Sequence, residues 1–139
     1  MEAHETNVSQ SSFTLGSGEW LSRLRMPGRH CLELVVSGTA SGPDLECIAY
    51  LNAEVLPRLS VLVETAHRHL DEYVDRQKLF NGASWWLESV RVERGEDSRH
   101  KLTLELCIEE DPYGYWTVGF TYLDYWNKFW PSSFTRLQQ

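Results

Sequence analysis

The sequence has few cysteines, no apolar run long enough to span a membrane and no grouping of its basic residues, and each of these absences excludes a class of protein. Cys31, Cys47 and Cys107 are the three cysteines, and none has the C-x-x-C neighbour that a zinc site or a redox pair needs. An odd number of isolated thiols makes no disulfide framework. Each lies inside an apolar run, which is the setting of a small buried cysteine in a reducing compartment. A membrane span takes about 20 consecutive apolar residues, and no run here approaches that. The opening stretch MEAHETNVSQS has neither the positive region nor the apolar centre of a signal peptide. A cytoplasmic protein with no membrane partner is therefore expected.

Positive charge is also short. Thirteen Lys and Arg stand against 20 Asp and Glu, for a net charge of −7. The basic residues are scattered, whereas binding to nucleic acid by counterion release leaves a basic patch or stripe, so no nucleic-acid partner is expected. An acidic surface suits a basic protein partner, because complementary fields speed encounter. Catalytic strings are missing too: there is no G-x-S-x-G, H-E-x-x-H, Walker-type or G-x-G-x-x-G sequence. No catalytic residue, metal ligand or cofactor is assigned, and an enzymatic role is left without support.

What is present is globular: 42% hydrophobic and 24% charged residues over 139 positions, enough for one core without staples. Residues 1–10 read as a polar tail and 11–139 as a single α+β domain. Short apolar runs between Phe13 and Ser37, broken by Gly16, Gly18 and Pro27-Gly28, read as two or three strands. In the third, Leu32, Leu34 and Val36 alternate with Cys31, Glu33 and Val35. The segment SGTASGPDLE then announces a helix, with Ser41 or Gly42 as cap, Pro43 early, and Asp44 and Glu46 at the positive end of the dipole.

From residue 44 to about 78, Ile48, Leu51, Val55, Leu59, Leu62, Val63, Ala66, Leu70, Tyr73 and Val74 recur at helical steps and draw one apolar stripe. Pro57 falls within it, so a kink or a split is expected there. Phe80-Asn81-Gly82 ends the helix. Four further strands follow at about 84–94, 100–110, 115–123 and 129–137. The clearest has Leu102, Leu104, Leu106 and Ile108 on one face and Lys101, Thr103, Glu105, Cys107 and Glu109 on the other. Short turn-rich connections favour hairpins. The expected fold is an antiparallel meander of six to seven strands with the helical segment on one face.

Candidate sites divide into three groups. His67, Asp71 and Asp75 follow one another at i,i+4 on the helix and would suit a divalent metal, but such spacing also describes any solvated helix face, and that reading is preferred. Glu109, Glu110 and Asp111, like Glu93, Glu96 and Asp97, lie in turns, where no pocket drives carboxylate pKa values apart. The third group is aromatic. Ten of the 17 aromatic residues fall between Tyr113 and Phe134. Alternation sends Trp116, Phe120, Trp130 and Phe134 to the core, but Tyr125 and Trp126 lie in the turn DYWNK. An exposed Tyr-Trp pair is interface chemistry, or else it folds back over the sheet.

YGYWTVGF (residues 113–120) and the Trp130-Pro131, Phe134 and Arg136 pattern of WPSSF-x-R resemble small bacterial domains of unknown function. Some of these are similar to the immunity proteins that neutralise toxins delivered between competing cells. The resemblance covers roughly the last third of the chain and brings no catalytic residues with it. It implies a bacterial, cytoplasmic, partner-binding role.

Two functions are carried forward. One is a non-catalytic interaction module, possible residues being Tyr113, Tyr125, Trp126, Glu109, Glu110 and Asp111, whose partner is a basic protein or a second copy of the chain. The other is a small-molecule domain or unrecognised enzyme with a pocket between helix and sheet lined by Trp85, Trp86 and Tyr122. A homo-oligomer joined at a sheet edge is a third reading.

Overall fold

A computed structural model describes residues 8–25, 31–75, 77–78, 81–95, 100–108, 114–123 and 128–138. In chain order the strands are β1 (Thr14–Gly16), β2 (Glu19–Arg25), β3 (Cys31–Val36), β4 (Gly38–Thr39), β5 (Gly42–Pro43), β6 (Trp85–Arg94), β7 (His100–Ile108), β8 (Gly114–Leu123) and β9 (Lys128–Gln138). The helices α1 (Leu45–Tyr50) and α2 (Leu59–Asp71) fall between β5 and β6. Seven strands form one sheet in the order β1-β2-β3-β6-β7-β8-β9, and β4 pairs with β5 alone. The architecture is α+β with a mostly antiparallel sheet.

β7 is the strand that the sequence describes best. Leu102, Leu104, Leu106 and Ile108 are buried while Lys101, Thr103, Glu105 and Cys107 are not, as period-2 patterning requires. One pairing departs from the expected meander. β3 and β6 are parallel, with Leu34 opposite Val90 and Val36 opposite Val92. The helical segment between them returns the chain to the end at which β3 began, so β6 sets off in the same direction as β3.

The helical run is continuous from Leu45 to Asp71, and its hydrogen bonding changes pitch on the way. Over Leu51–Val55 it is a π turn, with Leu56 N–H donating to Leu51 O, and over Leu56–Arg58 a 3₁₀ turn, with Leu59 N–H donating to Leu56 O. Pro57 has no N–H to give, and the π turn before it and the 3₁₀ turn that contains it carry the helix past that gap.

The chain gathers into two compact units, residues 1–59 with 89–102 and residues 60–88 with 103–139. In the first unit, Leu32, Leu34 and Val36 of β3 share a buried face with Val90 and Val92 of β6. Cys47, Ile48, Leu51 and Val55 are buried on the helical run. The β1–β2 hairpin turns through Ser17 (φ 52°) and Gly18 (φ 84°), both left-handed, as a two-residue turn that matches strand twist demands. Asp44, rather than Ser41 or Gly42, caps α1: its Oδ1 accepts from Glu46 N–H at 2.9 Å and Cys47 N–H at 3.4 Å. Ser41 and Gly42 are taken up by the β4–β5 turn instead. Near the start of the chain, Val8 is clamped to Asn52 by two reciprocal bonds of 2.8 Å each.

In the second unit, Leu62, Ala66 and Leu70 form the buried stripe of α2, and Trp85, Leu87, Leu104, Leu106, Ile108, Trp116, Val118, Phe120 and Phe129 the buried positions of the strands. β8 and β9 pair with a bulge. Gly119 faces Ser133 and Phe120 faces Pro131, which leaves Ser132 as the extra residue, its hydroxyl on Gly119 O at 3.3 Å. The bulge shifts the phase of β9 by one. Phe129 and Phe134 thereby fall on the same face although an odd number of positions apart, and Trp130 turns outward, 53% exposed. The expectation of a core-facing Trp130 is corrected by that one inserted residue. Cysteine burial is corrected as well: Cys47 is buried, while Cys31 and Cys107 are partly exposed.

Candidate functional site

One surface feature of the second unit grows out of the end of α2. The bonding tightens there: Glu72 N–H donates to His69 O at 3.3 Å and Tyr73 N–H to Leu70 O at 2.9 Å, both i→i−3, while Val74 N–H closes an i→i−4 bond on the same Leu70 O at 2.9 Å. This tightening turns the chain. Val74 stays in the core, but Tyr73, which the apolar stripe assigns to the buried face, is 61% exposed. The helix therefore ends about two turns before residue 78. A short helical turn resumes at Gln77–Lys78, where Lys78 N–H donates to Asp75 Oδ1 at 3.1 Å.

The outward Tyr73 ring is not adrift. It stacks on Phe134 with centroids 4.6 Å apart and planes at 30°, and His69 meets both rings edge-on at 5.5 and 6.0 Å. Phe134 in turn lies 6.2 Å from the buried Trp116, which meets Trp85 edge-on at 6.0 Å. A ladder of rings thus runs from the core to the surface and fixes the orientation of its last member.

Beside Tyr73 opens a cleft of about 500 Å³, lined by Asp71, Glu72, Asp75, Gln77 and Gly82 among others. Its charge is negative from two sources. Three carboxylates stand within five residues, and the C-terminal end of α2 adds the negative pole of its dipole. Asp71 Oδ1 is held by Trp85 Nε1 at 2.9 Å, and Glu72 Oε1 lies 3.9 Å from His69 Nδ1. Such a cleft can accept a cationic group and lay it on an aromatic face.

The residues singled out in the sequence are distributed as follows. Tyr113, Tyr125, Trp126, Glu109, Glu110 and Asp111 lie outside the described residues. Trp85 and Trp86 are successive residues of β6 and stand on opposite faces of the sheet, so they do not line a common space. Trp85 is buried beneath Asp71, and Tyr122 lies in β8 opposite Phe129. Of the trio His67, Asp71 and Asp75, the two aspartates line the cleft, and the end of α2 between them breaks the i,i+4 ladder. Among the described residues no three His, Cys, Asp or Glu side chains are grouped to hold a metal, and no helix is long and apolar enough to cross a membrane.

Sequence reasoning missed Tyr73 as a surface residue because its spacing fits the core stripe. The signal that could have found it is the string D-E-Y-V-D, which puts acidic residues at the end of a helix, where the dipole disfavours them. Comparison with known protein families, curated proteins and solved structures finds no match.

Proposed function

We propose that this protein is a non-catalytic interaction module that presents an acidic, aromatic surface to a basic protein partner, in the manner of an immunity-type inhibitor acting in the bacterial cytoplasm. The observation that carries the reading is Tyr73, a large ring 61% exposed yet held in a fixed stack, with three carboxylates around the cleft beside it. Rigid aromatic anchors rimmed by charge are the residues that dominate interface energies. The net charge of −7 supports the choice of a basic partner, since it favours encounter with positive surfaces.

The cleft has the volume of a small-molecule site, but such sites are lined mostly by apolar groups, and this one is walled by carboxylates and amide. Partner side chains suit it better. Self-association through the β9 edge is opposed by Pro131 and the bulge at Ser132, both of which interrupt the strand. The test is capture by the tagged full-length protein from its native host at a series of salt concentrations. One stoichiometric partner, held at low salt and released as salt rises, is the expected result, and its absence at every ionic strength would overturn the reading.

A further inference from the structure

We propose that the cleft beside Tyr73 receives an arginine side chain of the partner, the guanidinium lying on the open face of the Tyr73 ring and its N–H groups on the carboxylates of Glu72 and Asp75. This inference rests on the interaction role above and names the chemistry of its contact. Three carboxylates on a helix end are ordinarily just solvated, so their number does not carry the argument. Three observations do.

The first is the ring. Phe134 covers one face of Tyr73 at 4.6 Å and 30°, and the residue remains 61% exposed, so the opposite face is open to a partner. The ladder through Phe134, Trp116 and Trp85 holds it in place before anything binds, and preorganised contacts lose less entropy on association. The second is the cleft of about 500 Å³ beside that ring, open to a side chain from outside. The third is the sign and position of the charge. Glu72 directly follows the C-terminal end of α2, where an anionic group opposes the helix dipole, and Asp75 adds a second carboxylate a few residues on. A bound cation relieves that opposition, so the arrangement is worse for the free chain than for the complex.

Arginine fits better than lysine. Its planar guanidinium stacks on an aromatic face and presents parallel N–H donors to carboxylates at the same time, whereas an ammonium is a compact point charge. Among the described residues, His69 meets Tyr73 and Phe134 edge-on and lies 3.9 Å from Glu72, and Lys78 donates its backbone N–H to Asp75 Oδ1.

The probe is a synthetic peptide with one arginine flanked by glycine and serine, titrated into the isotopically labelled full-length protein and followed by NMR. The same peptide with lysine, or with the neutral isostere citrulline, completes the series. The arginine peptide should saturate shifts at Tyr73, Asp75, Gln77 and Gly82, and the citrulline peptide should bind about tenfold more weakly, the loss expected when a desolvated cation–π contact disappears. Tyr73→Ala should weaken the arginine peptide to a similar degree, and Tyr73→Phe should restore it, separating ring stacking from any effect on folding. Asp75→Asn keeps the acceptor for Lys78 N–H and removes the charge, and should weaken it severalfold.

Equal binding of arginine and citrulline peptides, shifts elsewhere on the protein, or no effect of Tyr73→Ala would each overturn the inference. Capture of the native partner by Tyr73→Ala and Asp75→Asn with unchanged affinity would also overturn it while leaving the interaction role intact. A peptide that binds as expected, in a protein that captures no partner at any salt, would instead sustain the cleft chemistry and sink the wider role.

Discussion

Gly38 has no room for a side chain. A methyl group there would lie 2.5 Å from Gly42 O, 2.6 Å from Trp20 Cδ1 and 2.8 Å from Pro43 Cα, and two of those three atoms belong to backbone. Trp20 cannot swing aside freely, because its Nε1 donates to Thr39 O at 2.8 Å. Gly38→Ala should therefore cost about 1–3 kcal/mol, the usual range for overpacking, seen as a lower urea midpoint at unchanged slope. A midpoint equal to wild type would show that the β4–β5 turn opens without loss. The thiols make a second prediction at this scale. Cys47 is fully buried, and burial pushes its thiol above the ordinary value of 9.0. The unfolded chain thus loses this proton first as pH rises: the stabilisation is complete below about 9 and is lost as pH climbs through the higher folded value. At pH 8, iodoacetamide should label Cys31 and Cys107 well before Cys47 when modification is followed by peptide mass spectrometry. Early labelling of Cys47 would mean that the start of the helical run opens locally.

At the scale of elements, the start of the helical run depends on one carboxylate. Asp44 caps α1 through Oδ1, and Arg94 at the end of β6 grips it from the other side, Nε to Oδ2 at 2.9 Å and Nη2 to Oδ1 at 3.0 Å, while also reaching Glu46 Oε1 at 2.8 Å. The Arg94 contact, foremost, and the two backbone N–H bonds hold the Asp44 carboxyl below its ordinary 3.8. Because the folded value is the lower one, the stabilisation is present above pH 3.8 and is lost as pH falls through the folded value. Asp44→Ala should cost about 1–2 kcal/mol at pH 7, the range for loss of an N-cap. Asp44→Asn keeps the cap acceptor and should cost less, and the gap in thermal midpoint between this variant and wild type should narrow as pH falls below 3.8. Equal losses for Ala and Asn at pH 7 would assign the effect to the Arg94 pairing alone.

The same scale marks what could be read from sequence. β7 was legible residue by residue, since strict alternation leaves one solution. The α+β class and the helical run were legible for the same reason, a period sustained over many turns. Three features were not. The parallel β3–β6 pair depends on where the helical segment delivers the chain, which no local pattern records. The bulge at Ser132 is marked only by Pro131 before it, a residue that strands admit at edges as well as at bulges, so alternation sent Trp130 inward. The end of α2 fell short of the end of its apolar stripe because backbone bonding closed at Leu70 while the spacing of Tyr73 still fitted the core. The cleft was hidden by that last difference. Its acidic residues were visible on the helix, but the ring beside them had been counted as core.

At the scale of the whole molecule, charge and ring should control different halves of binding. A net charge of −7 acts over a Debye length of about 8 Å at physiological salt and about 30 Å at 10 mM, so on the proposed reading it guides a basic partner mainly before contact. On the proposed reading, the exposed Tyr73 acts only after contact, through a stack with the partner's arginine that must break for the complex to part. The association rate with the captured partner should therefore fall by about tenfold or more between 10 and 150 mM salt while the dissociation rate changes little. Tyr73→Ala should do the opposite, leaving association nearly unchanged and speeding dissociation. Reversal of a distant acidic residue such as Glu64, exposed on α2 beside Arg68, should lower association alone. Surface plasmon resonance across a salt series reads both rates at once. If salt instead acted mainly on dissociation, the charges would have to be inside the contact, and the separation between a steering surface and an aromatic anchor would fail.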